Sequence, residues 1–293
     1  MPRPRFEGIY LPHVTPFREG KLDREVLAQL VEYLIGQGAT GLAPCGTTGE
    51  SATLSHAEHY QVVEQVVKIV NGRVPVIAGA GSNSTEEAIG LAQAAERAGA
   101  DALLVISPYY NRPNQAGIIE HYRAIARATR LPIIMYNIPR RTAMNMAPET
   151  IIELSKVDNI VGVKEASGDL HQIMEIIQGT QEFSVLSGED DLLFTMCCLG
   201  AQGGITASAH IVLPEWLRLY QLVKEQKLAE ARALHYRLLP LVRAMFCEPN
   251  PAPAKAACEL IGIPVGPPRL PLLPATEACR SRLREVMTKL GAL

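Results

Sequence analysis

Eight short β-like runs, each followed by a helical segment, set the limits on how this chain folds. They are 8–16, 41–47, 74–80, 102–107, 132–138, 160–166, 183–188 and 203–208, starting 20 to 33 residues apart. That interval is what one strand, one helix and two short loops need. The helices are signalled independently. Leu27, Leu30, Val31 and Leu34 follow the i, i+3, i+4, i+7 spacing of an apolar helical face. Ser55 with Glu58, and Ser84 with Glu87, form capping-box patterns ahead of apolar runs. Alternating strands and helices imply a parallel sheet with right-handed crossovers. Eight units favour an α/β fold closed into a (β/α)8 TIM barrel over an open doubly wound sheet.

After about residue 213 the β signal stops. Residues 214–237, roughly 240–262, and 275–290 read as helices, with a proline-rich piece, 263–274, before the last. The expected organisation is a catalytic barrel over 1–213 and a C-terminal helical appendage over 214–293. At 47% hydrophobic and 20% charged, the chain suits a globular protein with a full-sized core. Lys plus Arg number 28 against 30 Asp plus Glu, with no basic stripe, so nothing points to nucleic acid or a membrane surface. Met1-Pro-Arg-Pro-Arg-Phe6 lacks the apolar core of a signal peptide. The cysteines (45, 197, 198, 247, 258, 279) contain no C-x-x-C pair, so reduced thiols in a cytoplasm are expected.

Two motif matches carry no chemistry. Gly36-Gln-Gly-Ala-Thr-Gly41 fits G-x-G-x-x-G but follows a helix and enters a strand, the reverse of the dinucleotide-binding order. His56-Ala-Glu-His59 lacks the i, i+4 spacing of a zinc-protease helix.

One residue stands out. In Asn159-Ile-Val-Gly-Val-Lys-Glu-Ala-Ser167, Val161 and Val163 point to one face of a strand and Gly162 and Lys164 to the other. An ammonium on a buried face is costly unless it is paired or loses its proton. Lys164 is therefore either a strand-end lysine reaching solvent or a salt bridge, or an amine nucleophile.

In a (β/α)8 barrel the active site forms at the C-terminal strand ends. Those ends hold Thr47 and Thr48, Tyr109 and Tyr110, Tyr136 and Arg141, Lys164, Gly188, and Ile205. Hydroxyls, phenols, an arginine and a strand lysine suit Schiff-base chemistry with a carbonyl substrate. No His-plus-carboxylate set appears there, which argues against a metal site.

These residues lie in longer motifs: Gly46-Thr-Thr-Gly-Glu-Ser-Ala-Thr-Leu54, Ser107-Pro-Tyr-Tyr-Asn-Arg-Pro113, Tyr136-Asn-Ile-Pro-Arg-Arg-Thr142, Gly162-Val-Lys-Glu-Ala166, and Glu248-Pro-Asn-Pro251 with Lys255. On these motifs, nearly end to end, the chain resembles the pyruvate-dependent class I aldolases, the family of dihydrodipicolinate synthases and N-acetylneuraminate lyase.

The resemblance implies a covalent imine between Lys164 and pyruvate, with no other cofactor. It makes Tyr136 the proton shuttle, with Thr48 and Tyr110 completing a hydroxyl relay. Thr47, the Thr48 backbone, Gly188 and Ile205 become substrate-binding positions. Arg141 matches the arginine with which the synthase branch holds the carboxylate of L-aspartate 4-semialdehyde, a contact that suits a bidentate guanidinium. Tyr110 reaching a neighbouring subunit implies a homodimer or homotetramer. An L-lysine effector site is implied at Ser51, Ala52, His56, His59, Asn83, Glu87 and Tyr109.

The chain also departs from the family pattern. Ala143 replaces the usual glycine, Glu189 a frequent aspartate, and the eighth-strand segment reads Ile205-Thr-Ala-Ser-Ala-His210. The rival readings are another pyruvate aldolase, acting on a 2-keto-3-deoxy sugar acid or hydroxy-oxoglutarate, and a non-catalytic lysine-binding regulator.

Overall fold

The computed structural model describes residues 3–293. In chain order its elements are β1 (Gly8–Leu11), β2 (Phe17–Arg18), β3 (Lys21–Leu22), α1 (Arg24–Gly36), β4 (Gly41–Leu42), α2 (His56–Val70), β5 (Ile77–Gly79), α3 (Thr85–Ala98), β6 (Ala102–Ile106), α4 (Gln115–Ala128), β7 (Ile133–Asn137), α5 (Pro139–Thr142), α6 (Pro148–Leu154), β8 (Ile160–Glu165), α7 (Leu170–Gly179), β9 (Ser184–Ser187), α8 (Leu193–Cys198) and β10 (Gly203–Ile205). Four helices follow: α9 (Leu213–Lys224), α10 (Leu228–Met245), α11 (Ala252–Leu260) and α12 (Glu277–Lys289).

All eight expected strands form. They lie in one sheet in the order β4-β1-β10-β9-β8-β7-β6-β5. The ladders from β5 through β10, and that between β1 and β4, are parallel. Leu42 in β4 also bridges in parallel to Val76, just ahead of β5. The fold is the (β/α)8 barrel with C-terminal helices. Strands β1 and β4 are much shorter than their β-like runs because Pro12 and Pro44 lack the N–H that a ladder needs, and Cys45 turns left-handed at φ 56°.

The sequence reading missed a hairpin. β2 and β3 pair antiparallel, Phe17 opposite Leu22 and Arg18 opposite Lys21. Their two-residue turn, Glu19-Gly20, has positive φ at both positions (51° and 74°), the twist that a tight hairpin favours.

The C-terminal helices also differ from expectation. The 214–237 segment is broken after Lys224, where Gln226 takes φ 59° and the Lys227 N–H donates to the Leu222 carbonyl at 2.9 Å. Helix α10 instead runs through Pro240 to Met245. Proline there removes the bond to the Tyr236 carbonyl, and that turn is exposed, which leaves the freed oxygen at the surface and makes the proline tolerable.

The chain forms two compact units, one comprising the residues up to Gly8 with Ile77–Ile205, the other Ile9–Val76 with Thr206–Leu293. In the first, Leu103, Val105, Ile133, Ile134, Met135 and Val163 are fully buried. Gly162 is required by close approach, since a Cβ there would lie 2.7 Å from the Ser184 carbonyl oxygen. In the second, Leu27, Leu30 and Leu34 of α1 are fully buried, as is Leu241 of α10. The Ser55–Glu58 capping box resolves as read, with Ser55 accepting from the Glu58 N–H and Glu58 from the Ser55 N–H at 3.0 Å. At α3, Ser84 accepts from the Glu87 N–H, and the Glu87 carboxylate accepts from the Ser82 hydroxyl.

Candidate active site

In the first unit, β7 and β8 set the central pair of side chains. Their register places Tyr136 opposite Lys164 and Asn137 opposite Glu165. Lys164 and Tyr136 are both buried, and the ammonium lies 4.4 Å from the centre of the phenol ring. Desolvated contact with an aromatic face is among the few apolar settings a lysine tolerates.

The flanking residues hold this pair in register. Glu165 turns to the opposite face and accepts from Asn137 Nδ2 (3.0 Å), the Ser167 N–H (2.6 Å) and Gln172 Nε2 (3.3 Å). Burial raises the Glu165 carboxyl, and these donors oppose that shift. Gly188 leaves room for the lysine stem, because a Cβ there would come within 3.0 Å of Lys164 Cε and Cγ.

Two arginines on α5 divide their work. Arg140 pairs with Glu189 Oε1 at 3.0 Å. Arg141 is exposed, and among the described residues no carboxylate pairs with it, which leaves its guanidinium available to a ligand. Burial pushes the Glu189 carboxyl up to about 7, opposed by Arg140 and Lys164. Sequence reasoning noted Glu189 only as a departure and gave Arg140 no role. Tyr110 is 89% exposed and left-handed at φ 72°, so the protein presents this phenol to its surroundings. Tyr109 beside it is half as exposed or less, and Asn111 Nδ2 donates to the Asn83 carbonyl at 2.9 Å. Glu87 accepts from the Ser82 hydroxyl.

In the second unit the Thr47-Thr48 turn follows β4. Thr48 is buried, and its hydroxyl accepts from Asn250 Nδ2 at 3.0 Å, leaving its own proton to donate. Behind it, Glu50 is left-handed at φ 57° and fully buried. Its Oε1 pairs with Lys255 Nζ at 2.6 Å, and its Oε2 accepts from the Arg269 N–H at 2.9 Å. Lys255 also lies 4.3 Å from the Phe17 ring centre, with Arg269 at 4.2 Å. Burial lowers the Lys255 pKa, and Glu50 opposes that shift. Arg269 in turn holds Glu58, whose carboxyl it depresses to about 2.

Sequence reasoning quoted Asn250 and Lys255 as motif letters without a role. The usable signal was present. Lys255 is the one charge in Ala252-Pro-Ala-Lys-Ala-Ala257, an apolar run like the 160–163 stretch ahead of Lys164. Of the implied effector positions in this unit, Ser51 and Ala52 lie in the turn Ser51–Thr53, and His56 and His59 lie in the first two turns of α2. His59 is buried, while His56 is exposed and stacks on Tyr60 at 6.4 Å.

The departure at His210 has a structural partner. The His210 Nδ1–H donates to the Ala207 carbonyl at 2.7 Å, and its Nε2 accepts from the Val14 N–H at 3.3 Å. The His13 Nδ1–H donates to the Val14 carbonyl at 3.0 Å. Both rings are buried and neutral, and burial lowers each pKa from 6.5 to about 4. Between those values the unfolded chain binds protons that the folded chain does not. The stability is therefore complete above about 6.5 and lost as pH falls toward 4. His210→Asn is expected to shrink the loss of unfolding free energy between pH 7 and pH 4 by about 3 kcal/mol, measured by urea titration at each pH.

Among the described residues no group of three or more His, Cys, Asp or Glu is placed to hold a metal ion. The fold and site place the chain among the parallel (β/α)8 barrels, with a lysine buried on a strand against a tyrosine ring. The chain belongs to the dihydrodipicolinate synthetase family, whose model matches residues 5–290.

A curated relative from Syntrophobacter fumaroxidans, 4-hydroxy-tetrahydrodipicolinate synthase, is 49% identical, covering 98% of this chain and 100% of its own. One of the same name from Methanothrix thermoacetophila is 47% identical, covering 98% of both. Among solved structures, a dihydrodipicolinate synthase matches at TM-score 0.95 and 45% identity, covering 98% of this chain and 100% of its own. The Cyanidioschyzon merolae enzyme, solved with lysine bound, matches at 0.96 and 42%, covering 98% and 99%.

Proposed function

We propose that this chain is a lyase that condenses pyruvate with L-aspartate 4-semialdehyde, the 4-hydroxy-tetrahydrodipicolinate synthase reaction of lysine and diaminopimelate biosynthesis. The observation that carries the reading is Lys164, buried on β8 against the Tyr136 ring. Its neutral amine adds to the pyruvate carbonyl and water leaves, forming an imine. The imine nitrogen is an electron sink, so a methyl proton leaves and an enamine forms. The enamine carbon attacks the aldehyde, and the new alkoxide takes a proton. The substrate's own amino group then displaces Lys164 from the imine carbon, closing the ring and freeing the enzyme. No cofactor beyond the Lys164 imine is needed.

In this reading Tyr136 shuttles protons with Thr48 and Tyr110, while Thr47, Gly188 and Ile205 bind pyruvate. The exposed Arg141 clamps the aldehyde's carboxylate. Arg141→Ala is expected to raise the KM for the aldehyde by about 10²-fold, the loss of a charge-assisted bidentate contact, with that for pyruvate changed severalfold at most. Steady-state kinetics with each substrate varied checks this, and a panel of aldehydes tests the choice of substrate. Equal rises in both KM values overturn the role.

Residues 1–213 carry the catalysis and 214–293 the helical appendage. The surroundings offered to Tyr110 are read as a second copy, in a homodimer or homotetramer. No helix among the described residues is long and apolar enough to cross a membrane, and a cytoplasmic location is proposed. The relative solved with lysine bound supports an L-lysine effector site at Ser51, Ala52, His56, His59, Asn83, Glu87 and Tyr109. Millimolar L-lysine is expected to lower the rate severalfold in a coupled assay, and an unchanged rate removes the effector role.

A further inference from the structure

Six cysteines are free thiols, but two of them touch. Cys247 follows α10, Cys279 lies in the first turn of α12, and their sulfurs are 3.3 Å apart. Cys247 is exposed and Cys279 is buried. The backbone around them is already clasped. Glu248 accepts from the Thr276 N–H at 3.1 Å and from the Thr276 hydroxyl, and the Cys279 N–H donates to that hydroxyl at 3.2 Å. The segment after α10 is thus held against the N-terminus of α12 by bonds independent of the thiols, with the sulfurs brought together as a result.

We propose that Cys247 and Cys279 are a redox modification site, forming a reversible intrachain disulfide. The exposed Cys247 thiolate attacks a low-molecular-weight disulfide, forming a mixed disulfide and expelling one thiolate. The Cys279 thiol then gives up its proton, and its thiolate attacks the Cys247 sulfur. The protein disulfide forms, the mixed bond breaks, and the second thiolate leaves with the Cys279 proton. Two cysteines lose two electrons and one small disulfide gains them. Burial and the contact with Cys247 both raise the Cys279 thiol, so the exposed Cys247 is the one that meets the oxidant, and Cys279 resolves because its sulfur already lies against that of Cys247. Of the remaining thiols, Cys45 and Cys258 are buried, and Cys197 and Cys198 are chain neighbours. The link closes on the turn that carries Asn250, the donor to Thr48, and so tethers that turn to α12.

The test oxidises the full chain with glutathione disulfide, blocks remaining thiols, and digests with trypsin. Peptides 244–255 and 270–280 each contain one of the two cysteines, and 256–269 holds Cys258 separately. The expected result is a 244–255/270–280 pair that dithiothreitol separates, free thiols falling from six to four, and a melting temperature raised by roughly 4–8 °C. In Cys279→Ser, glutathione is expected to remain on Cys247. Stable glutathionylation of Cys247 in the unsubstituted protein, linkage through Cys198, or all six thiols surviving overturns the proposal.

Discussion

Lys164→Ala is expected to abolish trapping of pyruvate by borohydride and to lower kcat on the order of 10⁴-fold or more. The reasoning begins with the site's geometry. An alanine leaves the Tyr136 ring and the Glu165 network in place, since Glu165 faces away from the lysine and keeps its donors from Asn137 and Gln172. The fold therefore survives, and circular dichroism should match the unsubstituted protein. What is lost is the only step in which the protein bonds to substrate. Intact-mass spectrometry after borohydride with pyruvate should find one reduced adduct per chain in the unsubstituted protein and none in the variant. Tyr136→Phe separates the roles of the pair: it should still trap pyruvate, more slowly, while turnover falls by 10²-fold or more, the usual range for a lost proton-transfer group. Persistent trapping in Lys164→Ala would move the nucleophile elsewhere.

The second large effect lies in the other unit. Lys255→Met is expected to cost about 3–5 kcal/mol of stability, because the fully buried Glu50 carboxylate loses the ammonium 2.6 Å away. Methionine fills a similar volume, so the loss is electrostatic. In a chain of this size it should lower the melting temperature by roughly 10 °C. Both side chains are shielded from solvent, so added salt should leave the difference nearly unchanged. Replacing both partners, Lys255→Met with Glu50→Gln, should recover most of the loss, since the neutral amide still accepts from the Arg269 N–H. If the double variant is as unstable as the single, the pair is not what holds this region. Glu50 stands two residues after Thr48, so the single variant should also lose activity before it loses its helical signal.

Much of the fold was legible because its signals are local. Apolar spacing over Leu27–Leu34 and the Ser55–Glu58 box each specify a helix within one or two turns, and all eight sheet strands fall inside the β-like runs. What escaped depends on backbone states that composition does not announce. Gln226 in the left-handed region splits a helix that residue spacing would continue, and Glu19-Gly20 closes a hairpin only two residues long on each side. Helix α10 runs across the gap left between 237 and 240, because the exposed turn at Pro240 tolerates the carbonyl that the proline strands.

The site divides the same way. Lys164 was visible as a charge in an apolar strand, and period-2 alternation placed it on the face opposite Val163. Its contact with Tyr136 follows from the register of β7 on β8, which hydrogen-bonding between segments 28 residues apart decides. Glu50 and Lys255, or Cys247 and Cys279, read in sequence as unrelated letters. A buried charge or an exposed thiol acquires its meaning from the atom a few ångströms away, and chain reversal selects that atom. By itself, then, the sequence determined the repeat of strands and helices, the odd lysine and the family pattern, because each is written in neighbouring residues. Which hydroxyl Asn250 meets, which carboxylate Lys255 neutralises and which arginine is left unpaired were settled only by tertiary packing, because those choices depend on distances that no local spacing encodes.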